Sequence, residues 1–123
     1  MRKQSGLEEL RKLGKGCFLL LAGYLPSNVE VRVYCVKGES GKFCVKIVPT
    51  SHPFARNVTH GKTARLNAKG KVHIPEELAK TAELSTESKV LVTGGSHIEI
   101  WNPSNYDLEW KAILEAAGIE ATP

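Results

Sequence analysis

The sequence predicts an α+β fold, mainly β, with short helices, and three observations carry that expectation. Residues 29–36 alternate apolar with polar positions and are rich in β-branched residues, and residues 42–48 follow as a second strand rich in β-formers. Lys89–Thr93 and Ser96–Trp101 read as two further strands on either side of Gly94-Gly95, a pair whose freedom at positive φ suits a tight hairpin turn. Helical spacing is limited to three short stretches: one through Leu7, Leu10 and Leu13, one opened by Pro75, and one running through Tyr106, Trp110, Ile113, Leu114 and Ala117.

The size and composition fit this class. A chain of 123 residues makes one domain or two very small ones, and 41% apolar with 24% charged residues excludes a wholly disordered chain. The longest apolar run, residues 17–22, falls far short of the ~20 residues of a spanning helix. Glu8 and Glu9 before it, and no small-x-small site after it, argue against a signal peptide. Three cysteines without a C-x-x-C pair suit neither a disulfide framework nor a zinc finger, so a cytoplasmic home with free thiols is expected.

In chain order, Leu7, Leu10 and Leu13 recur at helical spacing between Ser5 and Gly14, which predicts a short helix over 7–13. Cys17–Leu25 reads as a buried strand, Pro26-Ser27-Asn28 as a turn, and residues 29–48 as a hairpin about the loop 38–41. Pairing Lys37 with Lys42 across that loop would set Cys35 opposite Cys44. Gly38-Glu39-Ser40-Gly41-Lys42 superficially suggests a phosphate loop, but Val36 and Phe43 stand where that motif needs Gly and Ser or Thr, and a strand follows instead of a helix. Nucleotide binding is rejected there. The breaker cluster Pro49–Pro53 divides the chain into residues 1–55, a degenerate first repeat or separate small domain, and residues 56–123.

Past that boundary, Thr63–Leu66 and Lys71–Ile74 read as short strands joined by a turn in which Asn67 and Gly70 supply the needed dihedral freedom. Alternation then turns Val72 and Ile74 inward and Lys71 and His73 outward. Glu76 and Glu77 suit the positive end of a helix opening at Pro75. Asn102-Pro103 caps the last helix, which Gly118 ends.

Charge is distributed unevenly. Residues 51–75 hold Arg56, Lys62, Arg65, Lys69 and Lys71 with His52, His60 and His73, and no acidic residue; residues 76–123 hold three basic and nine acidic ones. A polyanion would meet the protein in the middle segment.

The segment Leu66-Asn67-Ala68-Lys69-Gly70-Lys71-Val72-His73-Ile74-Pro75-Glu76-Glu77-Leu78, followed by Val90–Gly94 and Ile98–Asn102, resembles the second repeat of MraZ-type transcriptional regulators. These belong to the SpoVT/AbrB superfamily of swapped-hairpin DNA-binding proteins, and the likeness covers about residues 62–117. It implies an interlocked β-barrel with short helices, here preceded by a small hairpin region, and a DNA-binding regulator located at the nucleoid. A single clear repeat implies a homodimer or higher oligomer; a degenerate first half would instead close the barrel within the chain. In that family an Asp-x-x-Gly-Arg turn precedes a strand ending in Ile-Pro. Here Asn67 replaces the Asp and Lys71 the Arg, which keeps the charge without the planar fork and shifts the weight from base readout to backbone contact.

The resemblance places duplex-DNA contacts at Lys62, Arg65, Lys69, Lys71 and His73, with Asn67 and Gly70 forming the turn. A second function with the same fold is an antitoxin-like or structural interaction module using the acidic residues Asp107, Glu109 and Glu115 of the last helix. Catalysis is not expected, since no nucleophile–base pair or paired carboxylates are readable, and His97 with Glu99 suit the polar face of a strand. Neither cofactor nor metal is expected. Trp101, Tyr106 and Trp110 are read as core.

Overall fold

The alternating segments become strands because each has one face to bury and a neighbour to pair with. The computed structural model of the chain describes residues 8–58, 60–94 and 97–118. Its strands are β1 (Glu9–Lys12), β2 (Phe18–Leu20), β3 (Glu30–Lys37), β4 (Phe43–Pro49), β5 (Lys62–Arg65), β6 (Lys71–His73), β7 (Lys89–Thr93) and β8 (Ile98–Trp101). A 3-10 turn at Pro53–Asn57 and two helices, α1 (Glu76–Thr81) and α2 (Pro103–Ala116), complete it. Six strands form one antiparallel sheet in the order β1-β7-β8-β4-β3-β5, while β2 and β6 pair as a separate ribbon. The fold is therefore α+β and mainly β.

That order is palindromic. Shifting β1, β2 and the middle of β4 by 53 positions, and the start of β3 by 59, carries Glu9 to Lys62, Phe18 to Lys71, Val45 to Ile98 and Glu30 to Lys89. Under this exchange the β1–β7 ladder becomes the β3–β5 ladder, β3–β4 becomes β7–β8, and β2–β6 and β4–β8 map onto themselves. Each half thus gives its first strand to the other. Left-handed residues recur in step: Cys17 (φ 65°) matches Gly70 (φ 84°), and Asn28 (φ 63°) matches Glu87 (φ 66°). The halves differ in where they place extra length. Val33 pairs with Ile47 in a long hairpin, whereas Val92 pairs with Ile100 in a short one; the second half compensates with α1 between β6 and β7.

The main core lies between the sheet, the ribbon and α1. Leu13, Leu19, Leu21, Val31, Val33, Val45, Ile47, Leu66, Val72, Ile74 and Ile100 are completely buried there, each such side chain contributing about 1.5–3 kcal/mol of transfer free energy. On the other face α2 covers a smaller cluster of Cys44, Leu91, Trp101 and Tyr106, with Trp110 at its edge. Asn102 caps α2, its Oδ1 accepting from the Ser104 and Asn105 amides at 2.9 and 3.2 Å.

Four sequence expectations are corrected. The helix over 7–13 is instead strand β1 within the described residues, with Leu7 outside them. Pairing with β7 overrides the local leucine spacing, and the Arg11 guanidinium pins β1 to the end of β2 through the Leu20 and Ala22 carbonyls at 2.7 and 3.1 Å. Lys37 pairs with Phe43, not Lys42, so Cys35 faces Val45 and Cys44 faces Val36. This one-residue slip sends the two thiols to opposite faces of the sheet, and all three cysteines are free. The first-half hairpin does not precede the second-half strands but lies within the sheet, with β4 against β8 and β3 against β5. Finally, the sheet order begins at β1 and stops at β5 without closing into a barrel among the described residues. The ribbon covers the open side of the core instead of continuing the ladder.

Candidate nucleic-acid interface

The ribbon is built from a strict alternation. Leu19 and Val72 oppose each other and are fully buried, so their neighbours turn outward: Phe18 opposite His73, and Leu20 opposite Lys71. The turn into β6 is held by Asn67, whose Oδ1 accepts the Lys69 and Lys71 amides at 2.9 and 3.0 Å. The Gly70 amide returns to the Asn67 carbonyl at 2.9 Å. Gly70 is buried at φ 84°, and a Cβ there would stand 3.2 Å from that of Ala22, so glycine suits both the conformation and the close approach. Lys69, at the turn, and Lys71 and His73 project from this fixed frame, all exposed.

Lys62 and Arg65 stand apart from these three. Both lie on the edge strand β5, but Lys62 opposes the core residue Val33 while Arg65 opposes Glu30, which places them on opposite faces of the strand. Each has local partners: Lys62 lies 3.7 Å from Glu77, and Arg65 lies 3.8 Å from Glu30 and donates to the Asn28 carbonyl at 2.7 Å. Such exposed ion pairs are worth little and exchange readily. Among the described residues no ion pair involves Lys69 or Lys71.

Phe18 and Leu20 fall in the segment that the sequence predicts as a buried strand, yet both face outward. The run Cys17–Ala22 is uniformly apolar, so periodicity gives no warning that two of its side chains face out; they are 44% and 40% exposed. Lys15, in the matching turn of the first half, is exposed as well.

A concavity of about 370 Å³ lies between α2 and the β3–β4 hairpin. Its buried and half-buried charged groups, Lys46, Glu99 and Glu109, are already engaged. Lys46 pairs with Glu99 at 3.4 Å, Glu99 accepts the Trp101 indole N–H at 2.9 Å, and buried Glu109 accepts from the amides of Glu39 and Ser40 at 3.0 Å each. Glu109 therefore serves the hairpin and does not belong to a free acidic face. His97 rests edge-on to His52 with ring centres 5.6 Å apart, and its pKa is lowered by burial first, then by Lys46 and His52. Among the described residues no three His, Cys, Asp or Glu side chains are placed to hold a metal ion, and no helix is long and apolar enough to cross a membrane. No protein-family model matches the chain, and no curated protein matches it either.

Proposed function

We propose that the protein is a DNA-binding transcriptional regulator of the swapped-hairpin kind that MraZ and AbrB exemplify, with both interlocking units in one chain. The observation that carries this reading is the β6 ribbon strand. Its inward residues lock it to the core, and its outward residues and preceding turn present Lys69, Lys71 and His73 on a frame ordered by Asn67. The reciprocal exchange of β1 and β5 between the halves supports it further. With a second unit in the same chain, oligomerisation does not rest on the single-repeat argument. Oligomerisation is proposed here on other grounds: one turn neutralises few phosphates, so stable binding calls for several copies along a duplex. Lys62 and Arg65 join the contact by exchanging Glu77 and Glu30 for phosphate.

The test is fluorescence anisotropy of a labelled random-sequence duplex titrated with protein at several salt concentrations. Each phosphate neutralised contributes a slope of about 0.9 in the salt dependence. The double variant Lys69→Ala/Lys71→Ala, folded and assembled as the parent, is expected to bind more weakly with a slope flatter by about two per copy engaged. An unchanged affinity and slope would exclude the basic turn as the site.

A further inference from the structure

The ribbon brings the apolar side chains of one half to the cations of the other. Phe18 rests against His73 with ring centres 5.2 Å apart, and Leu20 stands opposite Lys71. Because β2 and β6 run antiparallel, the turn carrying Lys15 lies at the Phe18 end and the turn carrying Lys69 at the Leu20 end. Neither residues 13–29 nor residues 50–75 include an acidic residue. The outward face is thus a half-exposed aromatic ring and a leucine between two lysine-bearing turns.

Resting on the DNA-binding reading, we propose that Phe18 and Leu20 form an apolar wedge that contacts unstacked bases, so that the preferred ligand is duplex DNA with a locally opened or easily deformed step. Charge complementarity selects a polyanion for this face, and the exposed ring and leucine select one that can offer apolar base surface. A closed duplex presents stacked bases behind its phosphates and leaves the two side chains in water. A step that opens lets Phe18 or Leu20 enter between base pairs, as apolar side chains do in proteins that kink DNA, while Lys15, Lys69 and Lys71 reach the flanking phosphates. Specificity would then come from DNA deformability, the kind of readout left to a site whose Lys71 lacks the fork that reads guanine.

The experiment compares three labelled ligands of one sequence: a fully paired duplex, the same duplex with a one-base bulge, and the single strand. The wild-type protein is expected to bind the bulged duplex about tenfold more tightly than the paired one, the scale of one base–aromatic contact. Phe18→Ala is expected to abolish that preference without altering the salt slope, and Phe18→Tyr to restore it. Leu20→Ala, read in the same way, is expected to reduce the preference less and keeps the test open should Phe18→Ala misfold. Equal wild-type affinity for the paired and bulged duplexes, or a preference that survives Phe18→Ala/Leu20→Ala, would overturn the wedge and leave the basic-turn reading standing. Tightest binding to the single strand would overturn it in favour of a platform for unpaired nucleic acid. A Phe18-dependent dimer, seen by light scattering without DNA, would give the face to a second copy. Loss of all binding dependence on Lys69 and Lys71 would remove the underlying reading as well.

Discussion

The turns that enter the ribbon from its two ends share a backbone and almost no chemistry. Gly14-Lys15-Gly16-Cys17 and Asn67-Ala68-Lys69-Gly70 close with matching bonds: Gly14 to the Phe18 carbonyl and Asn67 to the Lys71 carbonyl, both at 2.8 Å. The surrounding contacts also correspond. The Tyr24 hydroxyl donates to Glu9 in the first half where Lys62 pairs with Glu77 in the second, and Lys12 pairs with Glu87 where Arg65 reaches the Asn28 carbonyl. What both halves keep is buried apolar bulk, with Leu13, Leu19 and Leu21 matching Leu66, Val72 and Ile74. The difference teaches that interlocking constrains the inward positions, where volume must be filled. The outward ones are left free to become apolar in one half and basic in the other.

The sharpest way to break that equivalence is to truncate matched core residues. Leu13 and Leu66 are both fully buried, and their amides donate to the Ser88 and Val29 carbonyls at 2.9 and 3.0 Å. Leu13→Ala and Leu66→Ala are each expected to lower stability by about 2–5 kcal/mol in urea titrations. Values for the two that differ by more than the width of that range would show that the halves do not carry the core equally.

Glu109 probes what is peculiar to the first half, its long hairpin. Besides the two amides, its carboxylate accepts the Ser40 hydroxyl at 2.8 Å. Glu109→Ala is expected to cost about 1–3 kcal/mol, with faster hydrogen exchange at Glu39 and Ser40 and unchanged exchange in β7. Uniformly faster exchange would mean that α2 holds the whole sheet rather than one hairpin.

The smallest effect compares the matched left-handed positions. Gly70→Ala is expected to destabilise by about 1–2 kcal/mol, because an L-residue is strained there and its Cβ meets Ala22. Cys17→Gly relieves the same strain in the first half but removes a buried side chain, so a net change below about 1 kcal/mol is expected. Thermal melts of the two variants would show whether the turns are equally strained.

The sequence by itself determined the β-rich class, the hairpin strands, the turn at 67–70, the inward Val72 and Ile74, and the Asn102 cap of α2. Each of these rests on a signal contained within a few neighbouring residues: alternation, turn chemistry or a cap. Only the tertiary structure decided that residues 9–12 are a strand, that Cys35 and Cys44 lie on opposite faces, and that β1 and β5 change partners between the halves. Pairing between distant segments governs all three. A four-residue stretch such as Glu9–Lys12 has too little local preference to resist a vacant sheet edge, and register depends on ladder hydrogen bonds that no spacing within one strand records. The same physics places Phe18 and Leu20 beside Lys71 and His73. A run of six apolar residues shows no period, and its outward face exists only once β6 has paired with it.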